Sequence, residues 1–466
     1  MITTAPLTHG DLPETPTLSV IGCGYLGAVH AAAMASLGFD VIGVEVNPHA
    51  ASLLAAGTAP FHEAGLPELL RAGVDSGRLA FTQDIREAAA ADVHFICVGT
   101  PQLDASGAAD LSHVVGAVNE LAGVLDKPAL IVGKSTVPAG TAQMLREHVA
   151  MAARPGLQVE LIWNPEFLRE SKAVADTLHP DRIVLGGTTE ASLAVMERVY
   201  EAPLQEGIPL VVTDLVTAEL VKTAANAFLA TKISFINAVA EMCEAVGGDV
   251  ADIADAIGYD PRIGRQFLNS GVGFGGGCLP KDIRALRHRA MQVGGSSLAA
   301  LLDDVDLANL RRRERVVELV AGLASGQSDG ATVAVLGAAF KANTDDVRDS
   351  PALAVARELH RIGVDVRVYD PQATANARRY APELTFAASM GDAVRGAGVV
   401  LVLTEWDEFT SADPQGVASL VASRVLVDAR TCMPADDWVA AGWTVHGLGR
   451  PSREPLLTHD HAALPQ

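Results

Sequence analysis

The segment Thr17 to Val46, TLSVIGCGYLGAVHAAAMASLGFDVIGVEV, constrains the fold more than any other part of the chain. An apolar run enters a turn with glycines at 22, 24 and 27, an alanine-rich stretch follows, and a second apolar run ends at Glu45. That order predicts strand, turn, helix and strand, the βαβ unit that cradles a dinucleotide. Gly22 makes the turn, Gly24 admits a pyrophosphate, and Gly27 lets the helix pack closely on the strand. The phosphates would meet the helix N-terminus beside Tyr25 and Leu26. Glu45, 18 positions after Gly27, would accept hydrogen bonds from the adenosine ribose and repel a 2′-phosphate, which favours NAD over NADP. A glycine turn that serves packing alone is the bland alternative.

Further apolar runs at 93–98, 129–132 and 159–163 extend the same sheet. From Leu215 to about Asn309 the pattern is helical without strands, with one long segment at 219–247 and a second helix near 297–318. TVAVLGAAF (332–340) and DVRVYDP (365–371) then repeat the strand, turn and strand order, but without the glycine fingerprint. The expected fold class is α/β, with two Rossmann-like, doubly wound parallel-sheet domains joined by a long-helix central region. The expected bounds are 17–205, 206–318 and 319–450. Residues 1–16 and 451–466 are expected to be loose. The helical middle is a natural dimerisation element.

Composition excludes several classes. A net charge of −21 argues against a general nucleic-acid or membrane binder. No uncharged apolar stretch has spanning character, and the N-terminus lacks signal-peptide features. Five scattered cysteines form neither a CxxC pair nor a Cys/His cluster, so neither a disulfide framework nor a metal site is expected, and a cytoplasmic location is. The chain has seven Lys among 35 basic residues, so positions that keep Lys are enriched for sites needing a compact ammonium.

Several clusters carry candidate chemistry, each with a plain alternative. ICVGTP (96–101), with Val98, Gly99 and Thr100, and KSTVP (134–138), with Ser135 and Thr136, each follow an apolar run and should face the dinucleotide crevice. Either alone reads equally as a strand-to-loop turn. Lys222 and Asn226 are four apart and share a helix face: a solvated lysine, or a cation beside a neutral donor in a cleft. NPEFLRESKAV places Glu166 and Glu170 after a strand, where they are either a solvated helix edge or part of the crevice. In FLNSGVGFGGGCLPKD, glycine-rich backbone leads into Cys278. Pro280 suits a first helical turn, which sets Cys278 at a helix N-terminus near Lys281, a place that favours the thiolate. A buried structural thiol is the other reading.

Taken together, GCGYLG, KSTVP, NPEFLRE, KTAANAFLATKISFIN, DPRIG, FLNSGVGFGGGCLPKD and AFKANTDDVRDSP resemble the UDP-glucose/GDP-mannose dehydrogenase family in its own order, from about residue 17 to 450. The resemblance implies oxidation of a nucleotide-sugar C6 alcohol to a carboxylate, with two NAD and a covalent intermediate on Cys278. It implies that Lys222 and Asn226 stabilise the oxyanion, that Asp282 supports Lys222 and the hydrolytic water, and that Thr136 and Glu166 hold that water or act as its base. Glu170 and Arg348 match positions that touch NAD. The sugar nucleotide would be held by Glu166, Phe167, Leu168, Arg169 and Glu170, by Lys222 and Asn226, and by Arg262. Phe267, Leu268, Asn269, Ser270, Gly271 and Gly275 would border it, as would Phe340 and Lys341. Arg430 would reach it from the second domain or a partner subunit. Lys134, Lys222, Lys281 and Lys341, four of the seven lysines, fall inside these motifs.

Within the resemblance, FLNSGVGFGGGC with RIG is more similar to the UDP-glucose side of the family, which implies UDP-glucose as substrate, and GDP-mannose under the same chemistry is the nearest alternative. A silent nucleotide-sugar sensor is a further alternative, against which Cys278, Lys222 and Asp282 are all present. A homodimer is expected. Compared with relatives, Glu45 stands in place of a common Asp, Ala50 in place of a basic residue in some, Ser171 in place of the usual Gly and Thr431 in place of Asn.

Overall fold

A computed structural model describes residues 6–8, 10–103, 106–326 and 331–455. The chain forms two compact units, Met1–Ala227 with Lys281–Ala300 and Phe228–Pro280 with Leu301–Gln466.

The first unit holds strands β1 (Leu18–Ile21), β2 (Val41–Val44), β3 (Leu79–Thr82), β4 (Val93–Ile96), β5 (Ala129–Gly133), β6 (Val159–Trp163), β7 (Ile183–Gly186) and β8 (Leu210–Thr213). Their order is β3-β2-β1-β4-β5-β6-β7-β8, and every pair is parallel except β6 with β7. Residues of β1, β4, β5 and β6 are buried throughout, as expected of short apolar runs covered on both faces. Strand order reverses between β2-β1 and β4, and ligands of open α/β sheets bind at such a switch point.

The second unit holds β9 (Val333–Leu336), β10 (Val366–Tyr369), β11 (Thr385–Phe386), β12 (Val399–Val402), β13 (Val425–Asp428) and β14 (Thr444–Gly447). The order β11-β10-β9-β12-β13-β14, wholly parallel, repeats that of the first six strands of the first unit. The duplicated architecture is therefore real at the level of topology.

Three helices, Leu215–Val246, Leu279–Gln292 and Ser296–Ser325, each contribute residues to both units. Residues of the expected central region 206–318 are thus divided between the two units. β8, which lies beyond the expected bound at 205, pairs in parallel with β7 and completes the first sheet. The N-terminal extension is not loose where described: Leu7 and Leu12 are buried in the first unit's core, drawn in by their apolar side chains. At the other end Arg453 exchanges two backbone hydrogen bonds of 2.9 Å with Val445. The remainder of the expected tail, 456–466, lies outside the described residues. Among the described residues no helix is long and apolar enough to cross a membrane.

Candidate active site

In the first unit Gly22 makes the turn and Gly27 allows the close packing, as their spacing predicts. Gly22 has φ +88°, and a Cβ there would stand 2.7 Å from the Val98 side chain. A Cβ on Gly27 would stand 2.0 Å from the Gly22 carbonyl oxygen, so only glycine lets the helix Tyr25–Ser36 approach β1. Gly24 differs: nothing lies within 4 Å of its missing Cβ, and it is the N-cap of that helix without any side-chain cap. Open space above uncapped N–H groups is what a pyrophosphate needs. Glu45 follows β2, with Oε1 accepting from Asn47 N at 2.8 Å. These features fit NAD.

The strand-end loops are stitched together. Ser135 Oγ donates to the Val98 carbonyl at 2.7 Å, and Thr100 Oγ1 donates to the Thr136 carbonyl at 2.8 Å. Lys134 points into the core, where its Nζ donates to Asn164 Oδ1 at 2.9 Å and lies 3.2 Å from Tyr200 Oη. It therefore ties the end of β5 to the start of the NPEFLRE loop. Its retention as Lys has a structural cause.

Lys222 is buried and forms a 2.9 Å ion pair with Glu166 Oε1, while Glu166 Oε2 accepts from Leu168 N at 2.8 Å. Phe167 carries the Arg182 guanidinium 3.7 Å from its ring centroid. Arg169 pairs with Asp176 at 2.6 Å, which braces the loop, and Glu170 is buried at its end. Asn226 Nδ2 donates to Asp282 Oδ2 at 2.7 Å, and Lys281 Nζ pairs with Asp282 Oδ1 at 2.6 Å. The buried Asp282 thus orients Asn226 and holds Lys281. A cleft beside these groups is lined by Thr100, Thr136, Pro138, Lys281, Asp282 and Arg289. One neighbour escaped the sequence reading: Glu219, one turn before Thr223, accepts from Gly140 N and Ala142 N, both at 2.6 Å. Burial pushes its carboxyl up to about 7, against the lowering effect of those two N–H groups.

In the second unit the turn after β9 is closed by the protein itself. Asp370, which follows β10 as Glu45 follows β2, reaches back and accepts from Ala338 N and Ala339 N at 2.8 and 3.0 Å. It also accepts from Gln372 N, Ala373 N and Trp406 Nε1. An internal carboxylate thus occupies the N–H groups of this turn, whereas the corresponding glycine turn of the first unit is left open.

The glycine-rich run packs against this second sheet's loops, which shifts part of the expectation that it approaches a sugar. A Cβ on Gly275 would stand 2.3 Å from the Asp349 carbonyl, one on Gly276 2.8 Å from the Phe340 ring, and one on Gly277 2.3 Å from the Arg348 guanidinium. Gly271 meets the Ala429 carbonyl in the same way. Helix Ser296–Ser325 holds the run from behind. Asn309 bonds both backbone groups of Phe274, Arg312 Nε donates to the Gly271 carbonyl at 3.1 Å, and Arg313 bridges the Phe274 carbonyl and Asp349. These anchors were not legible because each finds its partner through the fold. The buried guanidinium of Arg312 is paired with Glu244 at 3.1 Å.

Cys278 emerges from this run, exposed, directly before helix Leu279–Gln292. The other expected contacts are already engaged within the unit. Arg348 pairs with Asp346 and Arg262 with Asp260, at 2.7 and 2.6 Å. Arg430 is turned inward, donating to the carbonyls of Leu403 and Phe340 at 2.7 and 2.8 Å. Lys341 Nζ lies 5.4 Å from the Phe340 ring centroid. Phe267 is exposed with φ +65°, Leu268 is buried, Asn269 accepts from Arg265, and Ser270 Oγ lies 3.3 Å from Thr431 Oγ1.

The NAD binding domain of the UDP-glucose/GDP-mannose dehydrogenase family matches residues 16–204, its central domain residues 216–311 and its UDP binding domain residues 334–435. A UDP-glucose 6-dehydrogenase of Rhizobium meliloti is 41% identical over 437 residues, covering 93% of this chain and 99% of that protein. The UDP-glucose 6-dehydrogenase TuaD of Bacillus subtilis is 38% identical over 437 residues, 93% of each. A solved UDP-glucose dehydrogenase from the archaeon Pyrobaculum islandicum superposes with a TM-score of 0.85 at 36% identity, covering 96% of this chain and 100% of that one. The chain belongs to the UDP-glucose/GDP-mannose dehydrogenase family.

Proposed function

We propose that this chain oxidises the C6 alcohol of UDP-glucose to the carboxylate of UDP-glucuronate, through a thioester on Cys278. The observation that carries the reading is an exposed thiol at the start of a 14-residue helix in a chain that also has an open dinucleotide turn. A one-step alcohol dehydrogenase has no use for such a thiol. NAD, when bound, supplies a hydride acceptor for each of the two oxidations.

Lys222, held by Glu166, stabilises the alkoxide as O6 gives up its proton, and loss of hydride from C6 leaves the aldehyde. The Cys278 thiolate adds to C6 and forms a thiohemiacetal, whose oxyanion Lys222 and Asn226 stabilise. That oxyanion collapses with loss of a second hydride from C6 and gives the thioester. Water then attacks C6, the C–S bond breaks, and the acid leaves with the thiol restored. Thr136, Glu166 and Asp282 serve that water. The UDP-sugar is bordered by Phe267 to Gly271, Gly275, Phe340 and Lys341, with Arg262, and Glu170 and Arg348 serve the dinucleotide.

The active form is a homodimer. Phe228, Phe235 and Met242 recur every seven residues along one helix, Val246 continues the stripe, and all four are more than half exposed. A two-fold pairing lets one stripe cover its own copy. Light scattering should report a dimer, and Phe235→Asp should yield monomer. A reducing cytoplasm suits five cysteines that form no disulfide.

The function test is stoichiometry. UDP-glucose should yield two NADH and one UDP-glucuronate, and GDP-mannose should turn over far more slowly. One NADH per sugar, or a preference for GDP-mannose, would overturn the reading.

A further inference from the structure

The loop that carries Glu166 and Glu170 ends at Ser171, which sits in the left-handed region with φ +71° although it is not glycine. Such a residue persists only where its surroundings fix it. The group that fixes it is Glu63, a carboxylate only 2% exposed, in the loop between helices Pro48–Ala55 and Leu66–Asp75. Its Oε2 accepts from Ser171 N at 2.7 Å and from the Tyr25 hydroxyl, and its Oε1 accepts from Ala173 N at 2.8 Å. Ser171 N also lies 3.0 Å from Tyr25 Oη. The Tyr25 ring packs against Phe61 at a tilt, with centroids 4.7 Å apart, so the segment that holds its hydroxyl also holds its ring.

Tyr25 opens the helix whose N-terminus awaits the dinucleotide, and Ser171 closes the loop that carries Glu166 and Glu170. We propose that Glu63 is a positioning residue that fastens the start of the dinucleotide helix to this loop, so that one buried carboxylate sets both. The proposal rests on the function argued above. A buried carboxylate is costly unless its oxygens are hydrogen-bonded, and here the donors come from segments far apart in sequence. Glutamine keeps the shape but replaces one acceptor oxygen with an NH2 group, which faces either Ala173 N–H or the Ser171 and Tyr25 donors. Either way one arm of the clasp opens.

Glu63→Gln, Tyr25→Phe and the double variant would be compared with the unaltered protein by three readouts. These are amide exchange at 171 and 173 without ligand, the calorimetric Kd for NAD, and KM and kcat for UDP-glucose. Glu63→Gln should speed exchange at those amides at least about tenfold and raise the NAD Kd and the UDP-glucose KM by about fivefold to tenfold. Tyr25→Phe should raise the NAD Kd while leaving exchange at 173 unchanged. The double variant should be no worse than Glu63→Gln, because both changes open the same clasp. Faster exchange with unchanged Kd and KM, or additive losses, would overturn the proposal and leave Glu63 a purely structural cap. Should UDP-glucose not be turned over, the function reading fails, while amide exchange and the NAD Kd still decide the clasp.

Discussion

Gly24→Ala and Gly27→Ala are three residues apart in one turn, and the structure predicts opposite outcomes for them. At Gly27 the new Cβ would lie 2.0 Å from the Gly22 carbonyl oxygen, where ordinary contact begins near 3.4 Å. The obstacle is backbone, so the helix must back away from β1. Overpacking of this kind costs about 3 kcal/mol, which in a unit of this size lowers Tm by roughly 6–12 °C. At Gly24 the new Cβ meets nothing within 4 Å, and φ −66° is open to alanine. Stability should therefore change by no more than about 0.5 kcal/mol. That Cβ would enter the open space where the proposed function seats the pyrophosphate. Losing charge-assisted bonds to helix N–H groups there costs about 3 kcal/mol, a Kd for NAD raised roughly a hundredfold or more. Differential scanning fluorimetry and calorimetric NAD titration read the two effects separately. A Gly24→Ala protein that binds NAD like the unaltered one would refute the assignment of the turn.

Three more predictions concern the surroundings. Ser171→Gly removes a left-handed penalty and should raise stability by up to about 1 kcal/mol, whereas a lowered Tm would show that the serine is not strained. Asp370→Asn strips one acceptor from five N–H donors and should cost the second unit about 2–4 kcal/mol without changing the NAD Kd; a second NAD bound would also be informative, showing that the carboxylate alone closes that turn. Glu219 has a folded pKa raised from 4.5 to about 7, so its contribution is fully present below 4.5 and is lost as pH rises through 7. The stability advantage of the protein over its Glu219→Gln variant should fall across that window and flatten above it, and an advantage that grew with pH would contradict the shift.

Local patterning made much of this legible. Both strand-turn-strand repeats, the division of labour among Gly22, Gly24 and Gly27, and the start of a helix just after Cys278 follow from residue types at fixed spacing, because turns and caps are set by neighbours in sequence. Domain bounds were less legible. β8 belongs to the first sheet only through pairing with β7, and the helical middle divides between two units along helices that have no break in their pattern. Long-range polar partners were not legible at all. Nothing near Glu63 or Arg312 in the sequence names Ser171 or Gly271 as its partner. Gly275 is expected to border the sugar nucleotide, and independently of any sugar Asp349, Phe340 and Arg348 already require glycines at 275–277. Lys281, expected from the sequence only to favour the Cys278 thiolate, also pairs with Asp282.

The central claim is that Cys278 holds the sugar carbon between two oxidations. In a rapid-quench single turnover with UDP-glucose labelled at C6, label should appear on the peptide containing Cys278, released by hydroxylamine as expected of a thioester. Label should accumulate when hydrolysis is slowed by Asp282→Asn. Cys278→Ala should carry no label and release no acid. Two NADH and free UDP-glucuronate from Cys278→Ala at an undiminished rate would contradict the account outright.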